Sequence, residues 1–247
     1  MNTTADTNNQ NVRLGVLQAD RVPPEMADEH LDYDQLFVRL LGEDSFEYHH
    51  WAVLDGFMPD SIDDADAWLI TGSRFGAYED LPWIPPLEDF IREVYASEKP
   101  MVGICFGHQV IAQALGGKVE KFNGGWSVGR VEYNLDETVW GSANLKATDQ
   151  TALLAFHQDQ VVVAPDSAKT VGSTDFCEHA ALLYGNKMLT IQPHPEFYSE
   201  FIGGLLEARR NILPEDIREG AAETLHQPIV REPIADTLRN FLKRENV

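Results

Sequence analysis

Two short segments of the chain carry the residue types that nucleophilic catalysis requires. In Gly103-Ile104-Cys105-Phe106-Gly107-His108-Gln109 a cysteine stands between apolar Met101-Val102 and the helix-like run Val110-Ile111-Ala112-Gln113-Ala114-Leu115. A strand that turns sharply into a helix at such a point lifts the thiol out of the sheet edge. It also aims the first N–H groups of the helix at whatever the sulfur attacks. The flanking glycines leave room for strained dihedrals and close packing. Read alone, the segment fits a buried structural cysteine equally well.

Downstream, Met188-Leu189-Thr190-Ile191-Gln192 reads as a strand and runs into Pro193-His194-Pro195-Glu196. The prolines stop the strand and stiffen the chain, so His194 and Glu196, two positions apart in extended backbone, project the same way. A thiol needs a base to become thiolate. The base in turn needs a carboxylate to hold its tautomer and steady the imidazolium that forms. Cys105, His194 and Glu196 supply those three roles. A His-Pro-Glu alone is an ordinary turn; joined to the Cys105 elbow it specifies a catalytic triad.

With both segments in place, the chain resembles the class I, triad-type glutamine amidotransferases. Their Gly-x-Cys-x-Gly-x-Gln and His-Pro-Glu signatures occur here in the family's order, and the resemblance covers approximately residues 12–201. It implies a flavodoxin-like α/β fold: a doubly wound, mostly parallel sheet with helices on both faces. Ala67-Trp68-Leu69-Ile70-Thr71-Gly72-Ser73 looks like the strand and glycine turn that supply one oxyanion N–H, which assigns Gly72 and Phe106 to an oxyanion hole. Phe156-His157-Gln158-Asp159 is similar to the Ser-His-x-Asp segment of the family's glutamine pocket, with Phe156 in place of serine. By resemblance, Gln109, His157 and Gln158 bind substrate, although His157 reads equally as a histidine capping a loop and Gln109 as a helix-face residue bonded to a neighbouring loop. The stretch from Gly72 to Ile84, with Tyr78, Pro82 and Trp83, is closer to free-standing members, which include γ-glutamyl peptidases, than to the Gly-Gly-Pro turn of biosynthetic subunits. Phe106 replaces the usual leucine and Pro193 the common phenylalanine; neither change removes a catalytic group.

The elements that must position these residues follow from patterning. The 247 residues, 43% of them apolar, can bury a substantial core, and alternating strand-like and helix-like stretches argue for a parallel sheet covered on both faces. Residues 1–11 are polar and read as a loose tail, 12–200 as the catalytic domain, and 201–247 as C-terminal helices packed on that domain. Three amphipathic segments are expected there, over 201–210, 214–225 and 234–244. The stripe Ile234, Leu238, Phe241 and Leu242 must bury against the domain or, if left exposed, against a second copy in a homodimer.

A formal charge of −21 argues against nucleic-acid binding, which needs a concentrated basic face. Nothing approaches the length of a membrane span. Two cysteines, one of them a candidate nucleophile, make a disulfide framework unlike this chain, and a reducing cytoplasm is the expected setting. Asp63-Asp64-Ala65-Asp66 reads as a solvated loop, not a metal site, and His49-His50 as a strand pair pointing to opposite faces. The expected chemistry requires neither metal nor cofactor.

That chemistry is attack of Cys105 on the side-chain carbonyl of glutamine or another γ-glutamyl compound, then departure of the amine and hydrolysis of a thioester. The chain lacks a Gly-x-x-x-x-Gly-Lys-Ser/Thr phosphate loop and a Ser-Gly-Gly-x-Asp-Ser motif, so it is not expected to use ATP by itself. Three readings stay open: an independent γ-glutamyl hydrolase, a glutaminase subunit feeding ammonia to a separate synthetase partner, and a non-catalytic binding module on the same fold.

Overall fold

The computed structural model of the protein describes residues 11–140 and 151–245. The expected N-terminal tail therefore lies outside the described residues, except for its last position. Eleven strands are described: β1 (Arg13–Gln18), β2 (Glu47–Ala52), β3 (Ala67–Ile70), β4 (Met101–Ile104), β5 (Lys118–Lys121), β6 (Ser127–Leu135), β7 (Thr151–His157), β8 (Asp159–Val163), β9 (Lys169–Ser173), β10 (Ala181–Tyr184) and β11 (Met188–Ile191). The helices are α1 (Tyr33–Leu41), α2 (Ile84–Ser97), α3 (Phe106–Ala114), the short α4 (Glu137–Trp140), α5 (Ser199–Ala208), α6 (Glu215–Thr224) and α7 (Glu232–Lys243).

Nine strands form one sheet in the order β2-β1-β3-β4-β11-β10-β9-β6-β7, while β5 and β8 pair separately. The first five, β2 through β11, run parallel, and the remaining pairings are antiparallel. Alternation along the parallel strands explains why both faces need cover. Leu14, Val16, Ala67, Leu69, Val102, Ile104, Leu189 and Ile191 enter one core, which takes in Phe37 and Leu41 of α1 and Ile234 and Leu238 of α7. Leu17, Trp68, Ile70, Met101 and Met188 enter the opposite core, closed by Leu87 and Ile91 of α2 and Val110 and Ile111 of α3. This is the doubly wound α/β sheet expected from the sequence. The antiparallel extension past β11 is an addition to that expectation.

One glycine in this frame answers to packing. Gly15 stands opposite Trp68 in the β1–β3 register, and a Cβ there would lie 2.2 Å from the indole Cζ3. The missing side chain is the room into which Trp68 lies down. Elsewhere the acidic run before β3 is more structured than a solvated loop. Asp64 accepts the backbone N–H of Ser61, Asp66 holds Arg13 at 2.7 Å and Asp63 holds Lys99 at 2.9 Å. His49 and His50 leave the edge strand β2 toward different acids, Glu47 and Asp34.

The stripe on α7 is buried within the chain, with Ile234, Leu238 and Leu242 at most 1% exposed. It packs on α1 and on the central strands β3 and β4, so this stripe is not left for a second copy. Because Leu238 fills the same core as β4 and β11, Leu238→Ala should lower unfolding stability by about 2–5 kcal/mol. A urea titration followed by circular dichroism reads the loss; a change below about 0.5 kcal/mol would place α7 outside the cooperative core.

Candidate active site

Parallel pairing brings the two chemistry-bearing segments together. Strand β4 lies between β3 and β11, with Ile104 in register with Ile191, and the N–H of Cys105 donates to the Ile191 carbonyl at 2.9 Å. Gly72, Cys105 and His194 therefore all leave the carboxyl ends of three adjacent strands, the usual place for a site on an open α/β sheet.

Cys105 caps α3 with φ 51° and ψ −100°, a left-handed conformation that is rare for a residue with a side chain. Such strain costs about 1–3 kcal/mol and persists only where the surroundings over-determine it. The sequence reading gave the strained dihedrals to the flanking glycines; the strain sits on the cysteine itself. The glycines serve close packing instead. A Cβ on Gly103 would lie 2.6 Å from the Gly107 backbone, and one on Gly107 would lie 2.4 Å from the Ile70 carbonyl oxygen. Helix α3 can press against β3 and β4 only without those two side chains.

His194 is fixed from three directions. Its N–H donates to the Leu154 carbonyl at 2.8 Å, its Nδ1 donates to Glu196 Oε1 at 2.6 Å, and its ring stacks on Phe197 with centroids 4.0 Å apart and planes 5° from parallel. The turn that carries it is held in place as well, since Arg231 Nε donates to the Pro195 carbonyl at 2.8 Å. Burial works against charging the imidazole, but the Glu196 carboxylate and Cys105 outweigh it and raise His194 to about 10. The imidazole is thus protonated at neutral pH. Glu196 is 1% exposed, and its Oε2 has no hydrogen-bond partner among the described residues, so His194 is the group its charge serves.

Both side chains converge on Gly72. A Cβ at that position would lie 2.8 Å from His194 Cε1 and 3.7 Å from Cys105 Cβ, so only glycine leaves the imidazole its place. The Gly72 N–H has no hydrogen-bond partner among the described residues, and the Phe106 N–H, first in α3, has no acceptor within the helix. Cys105, His194 and Gly72 open onto a cavity of about 350 Å³.

Gln109, His157 and Gln158 line the same cavity but are already engaged. Gln109 Nε2 donates to the Asp159 carbonyl at 2.8 Å and to Gln192 Oε1 at 3.0 Å, which ties α3 to β8 and to the end of β11. His157 ends β7; burial pushes it down to about 3, so it is neutral, and its Nδ1 donates to the Asp159 carbonyl at 3.2 Å. Gln158 Nε2 reaches the Phe122 carbonyl at 3.5 Å. The loop-tying readings of Gln109 and His157 are thus what their polar contacts describe. Next to them Asp159 accepts the Tyr78 hydroxyl at 3.2 Å, and burial holds its carboxyl above the usual range.

The sequence reading missed Phe197, Tyr33 and Arg209, which also line the cavity. Phe197 follows Glu196 directly and could have been noticed as an aromatic beside the motif. Tyr33 belongs to α1, far from both motifs, and Arg209 caps the far end of α5, the helix after the His-Pro-Glu turn; no local signal marks either. Taken together, a thiol on a strained elbow, a charged imidazole, a buried carboxylate and two free N–H groups can attack a carbonyl and stabilise the resulting oxyanion. Among the described residues no group of three or more His, Cys, Asp or Glu side chains is arranged to hold a metal, and no helix is long and apolar enough to cross a membrane.

Known proteins agree with this architecture. The family model for class I glutamine amidotransferases matches residues 60–206. Gamma-glutamyl peptidase 5 of Arabidopsis thaliana is 31% identical over 219 residues, which cover 85% of this chain and 87% of that protein. One subunit of the glutamine-hydrolysing GMP synthase of Archaeoglobus fulgidus is 34% identical over 125 residues, covering 49% of this chain and 65% of that one. A glutamine amidotransferase structure from Thermotoga maritima superposes with a TM-score of 0.74 at 21% identity, over 96% of this chain and 98% of that one, and so shares the fold. The resemblance in the sequence, including that to γ-glutamyl peptidases, is borne out, and the chain belongs to the class I glutamine amidotransferase family.

Proposed function

We propose that the protein is an independent γ-glutamyl hydrolase that works through a cysteine thioester, with Cys105 as nucleophile, His194 as general acid and base, and Glu196 as its orienting carboxylate. The observation that carries this reading is the convergence of Cys105 and the Glu196-bound His194 on Gly72. With the proton already on His194 in the resting pair, the Cys105 sulfur attacks the γ-carbonyl carbon of the substrate. The oxyanion is held by the N–H groups of Gly72 and Phe106; loss of one such donor costs about 10²–10³ in rate. Collapse breaks the carbon–nitrogen bond, and His194 delivers its proton to the departing nitrogen, leaving a γ-glutamyl thioester. Water, deprotonated by the same imidazole, then releases glutamate and the free thiol. Asp159 and Glu79, with Lys121 near enough to act on the Asp159 carboxyl, suit the ammonium and carboxylate of the substrate's amino-acid head, and Gln109 and Gln158 line the same cavity.

The likeness to a GMP synthase subunit supports a second reading, a glutaminase that hands ammonia to a separate synthetase. The two differ in what the isolated protein does. A hydrolase turns over alone, whereas a glutaminase that depends on its synthetase is nearly idle on glutamine. The test is amine release from glutamine, γ-glutamyl dipeptides and γ-glutamyl amines by the purified protein. Turnover is expected without a partner, and Cys105→Ala should lower it by at least about 10³-fold. An inert wild type, with a Cys105 thiol that iodoacetamide labels no faster than an ordinary exposed cysteine, would point to the binding module instead.

The imidazole predicts a pH signature. Its folded value, about 10, lies above the unfolded value near 6.5, so the stabilisation from the His194–Glu196 pair is complete below about pH 6.5 and is lost as pH rises through 10. The stability deficit of Glu196→Gln relative to wild type should therefore be largest near pH 6 and shrink toward pH 10 in urea titrations. The same substitution should cost about 10²–10⁴ in kcat/KM. A deficit that grew with pH would reverse the assigned charge of the pair.

A further inference from the structure

The cavity has two unlike ends. One is polar and knitted together by Tyr78, Asp159 and Gln109. The other begins at His194, whose ring lies on Phe197, and continues through Tyr33, stacked on Phe197 at 6.0 Å, to Leu205 and Ile212 at the end of α5 and beyond. Ile212 is 59% exposed at the rim, an apolar side chain left facing solvent. Between these apolar residues stands Arg209, at the C-terminal cap of α5. Arg74, which also lines the cavity, is paired with the buried Asp20 at 3.2 Å. The Arg209 guanidinium makes no ion pair or hydrogen bond among the described residues, in a chain with 40 acids against 19 lysines and arginines. The acid whose field it shares is the buried Asp20, already bonded to Arg74, so the half-buried Arg209 guanidinium keeps its hydrogen-bonding edge available to an anion in the cavity.

The proton that His194 delivers goes to the departing nitrogen, so that nitrogen must lie at the His194 end. Ammonia would leave the apolar wall uncovered and Arg209 unmatched. A volume of about 350 Å³ is also within the range that holds a drug-sized ligand. We propose that this wall is the subsite for the departing amine. Arg209 is a specificity-determining residue there: it selects γ-glutamyl compounds whose departing part carries an apolar side chain and a carboxylate, as in a γ-glutamyl amino acid, over free glutamine. This rests on the hydrolase reading above.

The experiment compares γ-glutamyl-phenylalanine with γ-glutamyl-phenylalaninamide, identical but for the terminal carboxylate, in wild type, Arg209→Ala and Arg209→Lys, with glutamine alongside. The wild type should prefer the carboxylate in kcat/KM by about tenfold or more, the size of one charge-assisted contact. Arg209→Ala should bring the ratio to within about twofold of one, and Arg209→Lys should keep part of it. Calorimetry of the same pair on Cys105→Ala should show the same preference without turnover. Hydrolysis of both compounds at equal rates by the wild type overturns the proposal and leaves the hydrolase reading standing. An equal loss on both substrates in Arg209→Ala overturns it too, because Arg209 would then act on the shared glutamyl head. Absence of hydrolysis of every compound, glutamine included, brings down the parent reading and this one together.

Discussion

The parallel pairing of β4 with β11 is the constraint from which the site follows. Ile104 meets Ile191 in register, and the first backbone group beyond β4, the Cys105 N–H, is still bound to the Ile191 carbonyl. A slip of one residue would turn Cys105 and the His194 turn to opposite faces, because side chains alternate along a strand. The register is held by burial on both sides, with Val102, Ile104, Leu189 and Ile191 in one core and Met101 and Met188 in the other. Hydrophobic burial thus places polar groups that contribute none of it.

Around this pairing, several elements hold parts of the site in unfavourable arrangements. Cys105 keeps a positive-φ backbone, Glu196 is buried with one oxygen unpartnered among the described residues, and His194 carries charge out of reach of solvent. Each is costly alone. They persist because α3 is clamped on β3 and β4 through two glycines, and because the His-Pro-Glu turn is tied to β7 by Leu154 and to the α7 cap by Arg231. The C-terminal helices are thereby coupled to the site: α7 closes the core beneath the parallel strands, and α5 forms a wall of the cavity.

The two ends of the cavity come from different parts of the fold. The end that holds Tyr78, Asp159 and Gln109 takes its groups from α3, β8 and the loop after β3. The opposite end is built from α1 and α5, and Phe201 of α5 packs on Phe197, the ring that lies on His194.

How much of this was legible beforehand depended on whether a signal was local. The Cys105 elbow, the His-Pro-Glu turn and the glycine turn after β3 are encoded within a few residues each, because glycine, proline and a capped helix impose their geometry through adjacent backbone. The doubly wound sheet was readable because strand-like stretches alternate with helix-like ones, which calls for parallel strands covered on both faces, and because the family resemblance implies that fold. The antiparallel extension past β11 was not, because short apolar runs do not reveal the direction in which they will pair. Nor were the engagement of Gln109 with Asp159 and Gln192, the stacking of Phe197 on His194, or the approach of Tyr33 and Arg209. The sequence by itself determined the family, the residues able to react and the elements that carry them. Only the tertiary structure decided what surrounds those residues, because contacts between distant segments arise from the packing of whole faces and leave no trace in any one stretch of chain.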